Sequence, residues 1–271
     1  MNEGRLNNKT AWISGGTKGI GEGAVRLFAK EGANVAFTGR SEVDGKKLEE
    51  EINKNGRKVL FIKSDMTKSG EIEDSINRTI ETFGDLHILV NNAGTVQVRQ
   101  LHEYTEEEWD YLMDLNVRSM FLAFKYAFPH LSKNDKSYVV NIGSISSFVG
   151  QDRTPVYTAS KGAVLQLSRS IGLDYARYGI RSNCVCPGIT DTPLLGYHLN
   201  QDPDPEGRLE QRLRRVPMGR ALTIEDVAKS ILFFSCEDSA GVTATSLIVD
   251  GGYLAAAEWD CDVFKTDQRQ K

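Results

Sequence analysis

The chain has 271 residues, of which 40% are apolar and 26% are charged, and this composition is typical of one large globular domain with a sizeable core. Its 25 glycines and 7 prolines exclude collagen-like and low-complexity chains, and a net charge of -4 argues against a nucleic-acid partner. The four cysteines have neither disulfide nor metal-ligand spacing, which favours a reducing environment: Cys184, Cys186, Cys236 and Cys261.

Apolar runs are far shorter than the roughly 18 residues that a membrane-spanning helix needs, and the first ten residues lack the apolar segment of a secretory signal. We therefore expect a cytoplasmic protein with a small-molecule substrate and no membrane partner. We also expect no catalytic metal, because the histidines are scattered along the chain: His87, His102, His130 and His198.

Short apolar runs alternate with helical patterns along the whole chain, and several of these runs are rich in β-branched residues. This alternation predicts an α/β fold in which a doubly wound, seven-stranded parallel sheet has helices on both faces. The predicted strands are residues 10–14, 34–38, 59–63, 88–91, 137–142, 182–185 and 246–249.

A glycine-rich turn follows the first predicted strand and leads into a helix over residues 22–31; it reads Ser14-Gly15-Gly16-Thr17-Lys18-Gly19-Ile20-Gly21. Such a turn lets the backbone approach a pyrophosphate, and the helix N-terminus adds free N–H donors and a partial positive charge. The turn therefore favours a nucleotide ligand, although a glycine cluster alone would also suit any tight turn.

The end of the second predicted strand bears on the choice of cofactor. Dinucleotide folds that use NAD place an acidic residue there, on the ribose 2′-hydroxyl. This chain instead has Arg40 and Ser41, with Lys18 in the adjoining loop, and these groups suit a 2′-phosphate. We therefore favour NADP(H) over NAD(H); the alternative is that Arg40 and Lys18 are ordinary solvated charges.

Three helix ends follow from local patterns. An apolar stripe at helical spacing ends at Gly84, and it consists of Ile72, Ile76, Ile80 and Phe83. Thr105 followed by Glu108 predicts a capping box, and Thr223 followed by Glu225 and Asp226 predicts another helix start.

Tyr157 and Lys161 lie four residues apart at the start of a predicted helix, so they share one face. The ammonium of Lys161 is expected to favour the phenolate and lower the pKa of Tyr157. Ser144, just after a predicted strand, can hydrogen-bond the same substrate oxygen. Ser146 follows closely and is a candidate for the substrate pocket, although loop serines more often bond nearby backbone groups.

Residues 190–220, here called the lid segment, interrupt the alternation with four prolines and mixed charge, and we expect them to form a mobile cover. Tyr197 and His198 in it are candidates to contact substrate. Its arginines are spaced as in a short amphipathic helix, and this spacing allows two interpretations. The arginines could bind an anionic tail of the substrate, or they could form a solvated helix face whose charge is compensated by Glu206 and Glu210. The second is favoured for these arginines: Arg208, Arg212, Arg214 and Arg215.

Together these motifs resemble those of the short-chain dehydrogenase/reductase family, of the single-domain type, over residues 6–253. The family's glycine motif begins with threonine where this chain has Ser14, which keeps the hydroxyl. The resemblance implies a Rossmann-type fold and a catalytic tetrad of Asn116, Ser144, Tyr157 and Lys161. It implies a cofactor site that consists of Gly15, Thr17, Lys18, Gly19, Ile20, Gly21, Arg40, Ser41, Asp65, Met66, Asn92, Ala93, Gly94, Tyr157, Lys161, Pro187, Gly188, Ile189 and Thr192.

The resemblance further implies interconversion of a secondary alcohol and a ketone. Apolar residues of the lid segment favour a hydroxysteroid or another alicyclic substrate, while an oxoacyl thioester reductase and a sugar or cyclic-alcohol dehydrogenase stay open. A dinucleotide-sensing regulator without turnover is the alternative from another class, and the intact tetrad argues against it.

We expect residues 1–253 to form a single catalytic domain. Residues 254–271 extend beyond the usual family end, and Trp259 and Phe264 in them predict packing on a neighbouring subunit. Family members are commonly homotetramers, so the resemblance implies a homotetramer here.

Overall fold

A seven-stranded sheet runs through the computed structural model, which describes residues 4–256. Neighbouring strands are all parallel, in the order β3-β2-β1-β4-β5-β6-β7, which confirms the predicted sheet. The strands are β1 Thr10–Ile13, β2 Asn34–Gly39, β3 Val59–Lys63, β4 Ile88–Asn91, β5 Ser137–Ile142, β6 Ile180–Pro187 and β7 Ser246–Val249. Strand β6 is longer than predicted, because it pairs with both β5 and β7.

Helices cover both faces of this sheet. The described helices are α1 Gly19–Lys30, α2 Glu42–Asn53, α3 Ser69–Phe83, α4 Glu106–Met113, α5 Ser119–Leu131, α6 Pro155–Asp174, α7 Pro193–Leu199, α8 Pro205–Leu213 and α9 Ile224–Phe234. Side chains of α1, α2 and α9 form one apolar core and those of α3, α5 and α6 form the other. None of these helices is both long enough and apolar enough to cross a membrane.

The period-two pattern of the strands explains the two cores. In β1, Ala11 and Ile13 face the core under α1, while Trp12 faces the opposite core, where its indole N–H donates to Ser75 Oγ at 3.1 Å. Neighbouring side chains of a strand point to opposite faces, so both faces of a buried parallel sheet need apolar residues.

The predicted helix ends are present. Gly84 ends α3 in the left-handed conformation at φ 83°, which glycine adopts without strain. Thr105 with Glu108 and Thr223 with Asp226 form capping boxes at the starts of α4 and α9. The lid segment contains the short helices α7 and α8, whereas Trp259, Phe264 and Cys261 lie outside the described residues.

The strand order reverses between β1 and β4, and this reversal positions the site. The loops that leave β1 and β4 run in opposite directions along the sheet, so a crevice opens at the carboxyl edge between them. The glycine turn, Asn92, Ser144 and the lid segment all follow strands at this edge.

Candidate active site

A cavity of about 680 Å³ opens at the carboxyl edge of the sheet, a volume that suits a small organic ligand. Ser144, Tyr157 and Lys161 line it, together with Tyr197 and His198 of the lid segment. It is also lined by most residues of the predicted cofactor site, namely Gly15, Thr17, Lys18, Gly19, Ile20, Arg40, Asp65, Met66, Asn92, Ala93, Gly94, Pro187, Gly188, Ile189 and Thr192.

Hydrogen bonds from the loop after β4 hold the glycine turn in place. The backbone N–H groups of Asn92 and Ala93 donate to Ser14 Oγ at 2.9 and 3.0 Å. The side-chain amide of Asn92 donates to the carbonyl oxygens of Ser14 and Gly15, both at 3.0 Å. Asn92 therefore fixes the path of the turn. The hydroxyl of Ser14 accepts two of these hydrogen bonds, and the threonine of the family motif has a hydroxyl at the same position.

The N-terminus of α1 faces the cavity with its backbone donors free of side-chain caps, since Lys18 at the N-cap makes no capping hydrogen bond. Gly21 lies behind the turn, where an added Cβ would stand 2.2 Å from the carbonyl oxygen of Gly15. Only glycine permits this approach. The resulting cradle of backbone N–H groups fits a pyrophosphate.

Two cations lie where a cofactor's 2′-substituent is expected. Arg40 Nη1 donates to the hydroxyl of Tyr111 at 3.1 Å, and Lys18 Nζ pairs with Asp44 at 2.9 Å. Ser41 does not line the cavity; its hydroxyl accepts from the backbone N–H of Asp44 at 3.3 Å and caps α2.

Asp65 keeps an ionised carboxylate at the same end of the cavity. Burial raises its pKa, but two hydrogen bonds from Thr67, both 2.9 Å long, and the positive charge of Arg40 outweigh that effect, so the net shift is downward. Asp65 therefore presents a hydrogen-bond acceptor to the cavity.

Tyr157 lies in the first turn of α6 at the other end of the cavity. Burial raises its pKa, while a hydrogen bond with Ser144 and the positive charge of Arg212 oppose the rise. The expected lowering by Lys161 is wrong for this geometry, because Lys161 Nζ donates to the carbonyl oxygen of Ile142 at 2.8 Å and lies 5.6 Å from the centroid of the Tyr157 ring. Desolvation dominates over charge here.

Lys161 and Asn116 are both buried beside this tyrosine. Burial lowers the pKa of Lys161 to about 8. Asn116 lies in a π-helical turn between α4 and α5, behind the cavity wall, and its amide donates to the carbonyl oxygen of Thr95 and to Ser160 Oγ at 3.0 and 2.9 Å. Its side chain is thus held by the backbone, and it does not itself line the cavity.

Two of the predicted substrate residues, Ser146 and His198, are connected by polar contacts through Gln151. Ser146 is set back from the cavity, and its hydroxyl donates to Gln151 Oε1 at 2.7 Å. Gln151 Nε2 lies 3.3 Å from His198 Nδ1. Burial and the charges of nearby arginines lower the pKa of His198 to about 4, so this imidazole is neutral near pH 7.

Among the polar residues that line the cavity, sequence reasoning did not name Gln97 and Gln151, and it named Arg212 only as one of four lid arginines. The two glutamines lie in loops without a periodic pattern, so no sequence signal identifies them. The solvated interpretation of the lid arginines holds for Arg214, which pairs with Glu210 at 3.1 Å. It is wrong for Arg212, because α8 turns that side chain toward the cavity. Within residues 4–256 no cluster of histidine, cysteine and carboxylate side chains could hold a metal.

Comparison with known proteins gives consistent matches over nearly the full chain. A family model described as enoyl-(acyl carrier protein) reductase matches residues 15–254. An uncharacterized oxidoreductase of Thermotoga maritima is 40% identical, and dehydrogenase/reductase SDR family member 6 of Aquarana catesbeiana is 36% identical, each over 92% of this chain and 99% of the relative. The crystal structure of levodione reductase superposes with a TM-score of 0.90 at 27% identity, over 93% of this chain and all of that one.

Gly21→Ala is expected to weaken dinucleotide binding by about tenfold or more, since the new Cβ must displace the Gly15 carbonyl and with it the turn. Gly70→Ala is the matched control, because an added Cβ meets nothing within 4 Å there. Isothermal titration with the cofactor measures both. Unchanged affinity in Gly21→Ala would show that the turn does not hold the cofactor.

Proposed function

The chain belongs to the short-chain dehydrogenase/reductase family, and from that premise we propose that it is an NADP(H)-dependent oxidoreductase that interconverts a ketone and a secondary alcohol. One observation carries the proposal: Tyr157, in contact with Ser144, lies in the same cavity as the glycine turn. A proton donor and a cradle for a dinucleotide are thereby brought to one space.

The residues present fit a nicotinamide dinucleotide, which supplies or accepts a hydride when it is bound. The uncapped N-terminus of α1 would hold the pyrophosphate, and Gly21 leaves room for the turn to do so. The acceptor oxygens of Asp65 would bind the adenine. Pro187, Gly188, Ile189 and Thr192 would hold the carboxamide of the nicotinamide ring.

Tyr157 would give its proton to the substrate oxygen during reduction. Its burial favours this role, because a raised pKa keeps the phenol protonated near pH 7. Ser144 would hydrogen-bond the same oxygen and stabilise the negative charge that develops on it. In alcohol oxidation the same two groups would act in reverse.

Lys161 and Asn116 would support this proton transfer. The pKa of Lys161, lowered by burial to about 8, lets the ammonium release and regain a proton near neutral pH. Lys161 would also bind the ribose hydroxyls of the cofactor. Asn116, fixed by Thr95 and Ser160, would hold a water that links Lys161 to solvent.

NADP(H) is proposed over NAD(H) because Arg40, which follows β2, and Lys18, at the N-cap of α1, both line the cavity. A guanidinium there can bind a phosphate with two parallel hydrogen bonds. The pairing of Lys18 with Asp44 reduces the charge available from that lysine, so Arg40 carries most of the preference.

The substrate end of the cavity has apolar walls that suit a carbon skeleton, including Val96, Leu115, Leu194 and Leu195. These walls support the alicyclic substrate, such as a hydroxysteroid, that the sequence favoured.

We also propose a cytoplasmic homotetramer. Large apolar side chains are exposed on α4, α5 and α6, among them Trp109, Phe121 and Leu173, which are 40%, 51% and 73% accessible. Exposed apolar surface on neighbouring helices favours burial between subunits. The cytoplasmic location rests on the cysteine usage.

Tyr157→Phe is expected to retain cofactor affinity and to lose turnover by about 100-fold or more, since the proton donor at the substrate oxygen is removed. Tyr126→Phe is the control, because that hydroxyl bonds Ser69 outside the cavity at 2.7 Å. Steady-state reduction of a panel of cyclic ketones, with cofactor titration of each variant, measures both effects. Turnover at the wild-type level in Tyr157→Phe would refute the proposal.

A second prediction concerns the cofactor. The wild type should use NADPH with higher kcat/KM than NADH, and Arg40→Ala should reduce only the NADPH value, by about 10- to 100-fold for the lost charge-assisted hydrogen bonds. Arg57→Ala removes an equal charge from an exposed loop and should change neither value. Preference of the wild type for NADH would contradict the assignment.

A further inference from the structure

Arg212 brings a positive charge to the substrate end of the cavity, and within residues 4–256 its Nη1 has no hydrogen-bond partner. It lies near the end of α8 and lines the cavity with Tyr157, Gln151 and His198. Its Nη1 is buried, and no residue of the described range accepts a hydrogen bond from it. Burial lowers the pKa of Arg212, but a guanidinium stays charged at neutral pH. A buried charge without a partner is costly, so a bound group is the expected partner.

The neighbouring arginines differ from Arg212 in this respect. Arg208, one helical turn earlier, lies 3.7 Å from Asp152 and 3.8 Å from Asp202. Arg214 pairs with Glu210. Arg208 and Arg214 therefore each have a carboxylate partner, whereas Arg212 has no carboxylate partner within residues 4–256.

Other buried polar atoms without hydrogen-bond partners also indicate that the cavity binds a polar ligand. Three buried side-chain polar atoms lack a partner in the described range, those of Gln97, Thr158 and Arg212, and two of these residues line the cavity. Since buried polar atoms are nearly always hydrogen-bonded, their concentration here points to groups that the ligand completes.

The local charge is favourable for an anion. Arg212, Arg208 and Arg153 all act on His198, with Asp152 opposing them, and together with burial they hold this imidazole neutral. Tyr253 acts on Arg212 from the loop after β7, Tyr157 acts on it from α6, and Arg208 acts on it from its own helix. None of these three groups is a carboxylate that could pair with the Arg212 guanidinium.

We propose that the substrate carries a carboxylate, which Arg212 binds while the carbonyl of the same molecule faces Tyr157. This inference rests on the ketone–alcohol reaction proposed above and narrows its substrate to a small oxo acid or hydroxy acid with an apolar skeleton. The planar fork of a guanidinium matches a carboxylate, and a neutral substrate would leave the buried charge of Arg212 without a partner. A neutral hydroxysteroid is thereby disfavoured.

The proposed contact also bears on the proton donor. Arg212 is one of the two groups that lower the pKa of Tyr157 against its burial. A carboxylate bound to Arg212 neutralises that charge, so the phenol stays protonated when the oxo acid is in place. Substrate binding and readiness for proton donation are then linked through one side chain.

The test compares 3-oxocyclohexanecarboxylate with its methyl ester, which differ in charge and share the ketone. The wild type should reduce the acid with kcat/KM about 10- to 100-fold above the ester, the factor of a charge-assisted hydrogen bond. Arg212→Gln should abolish the difference and Arg212→Lys should retain part of it. Arg214→Gln, an exposed arginine paired with Glu210, is the control and should keep the wild-type ratio. An equal preference for acid and ester in the wild type would overturn the proposal.

A binding measurement separates this inference from the proposed reaction. Isothermal titration should show that cyclohexanecarboxylate, which has no ketone, binds the NADP⁺-loaded wild type and does not bind Arg212→Gln. Cyclohexanecarboxamide, which is uncharged, should show no difference in affinity between the wild type and Arg212→Gln. Carboxylate binding without reduction of either ketone would uphold the anion site and count against the proposed reaction. Absence of carboxylate binding, or the same binding in Arg212→Gln, would overturn the anion site even if ketones are reduced.

Discussion

The hydrogen bonds between the turn after β1 and the loop after β4 are the constraint on which the site depends. The strand order reverses at this point, and an open parallel sheet has a crevice at such a reversal because the loops on its two sides run in opposite directions. Ser14 and Asn92 bind each other's segments through four contacts and keep that crevice open. The N-terminus of α1, the cations Lys18 and Arg40, and Tyr157 of α6 then face one shared space.

Burial controls the protonation of the groups at the chemical end. Tyr157, Lys161 and His198 each have a pKa shifted in the direction of the neutral form, upward for the phenol and downward for the two bases. Loss of hydration disfavours charge in all three cases. Burial also lowers the pKa of Arg212, but its guanidinium stays charged at neutral pH, so the lack of a hydrogen-bond partner for its Nη1 within residues 4–256 is informative.

The sequence predicted the parallel sheet and three helix ends correctly, because each depends on a local pattern, namely apolar alternation, a terminal glycine or a capping residue. Asn92 shows the limit of such patterns. Its motif predicted that it lies at the cofactor site, but the motif did not predict its hydrogen bonds to Ser14. Arg212 illustrates another. Its helical spacing with charged neighbours predicted a solvated face, and only the packing of α8 against the cavity decides which arginine turns inward. The pKa of Tyr157 likewise depends on tertiary structure, because the packing around the phenol decides whether burial or the charge of Lys161 has the larger effect.

A crystal structure of the protein with NADP⁺ tests the central claim most directly, that one cavity holds the dinucleotide and presents it to Tyr157. The account predicts the pyrophosphate on the backbone N–H groups at the start of α1 and the nicotinamide ring beside Tyr157, with space for a substrate carbon at about 3–3.5 Å from C4 of the ring. A nicotinamide ring directed away from Tyr157, or a pyrophosphate bound elsewhere, would contradict it.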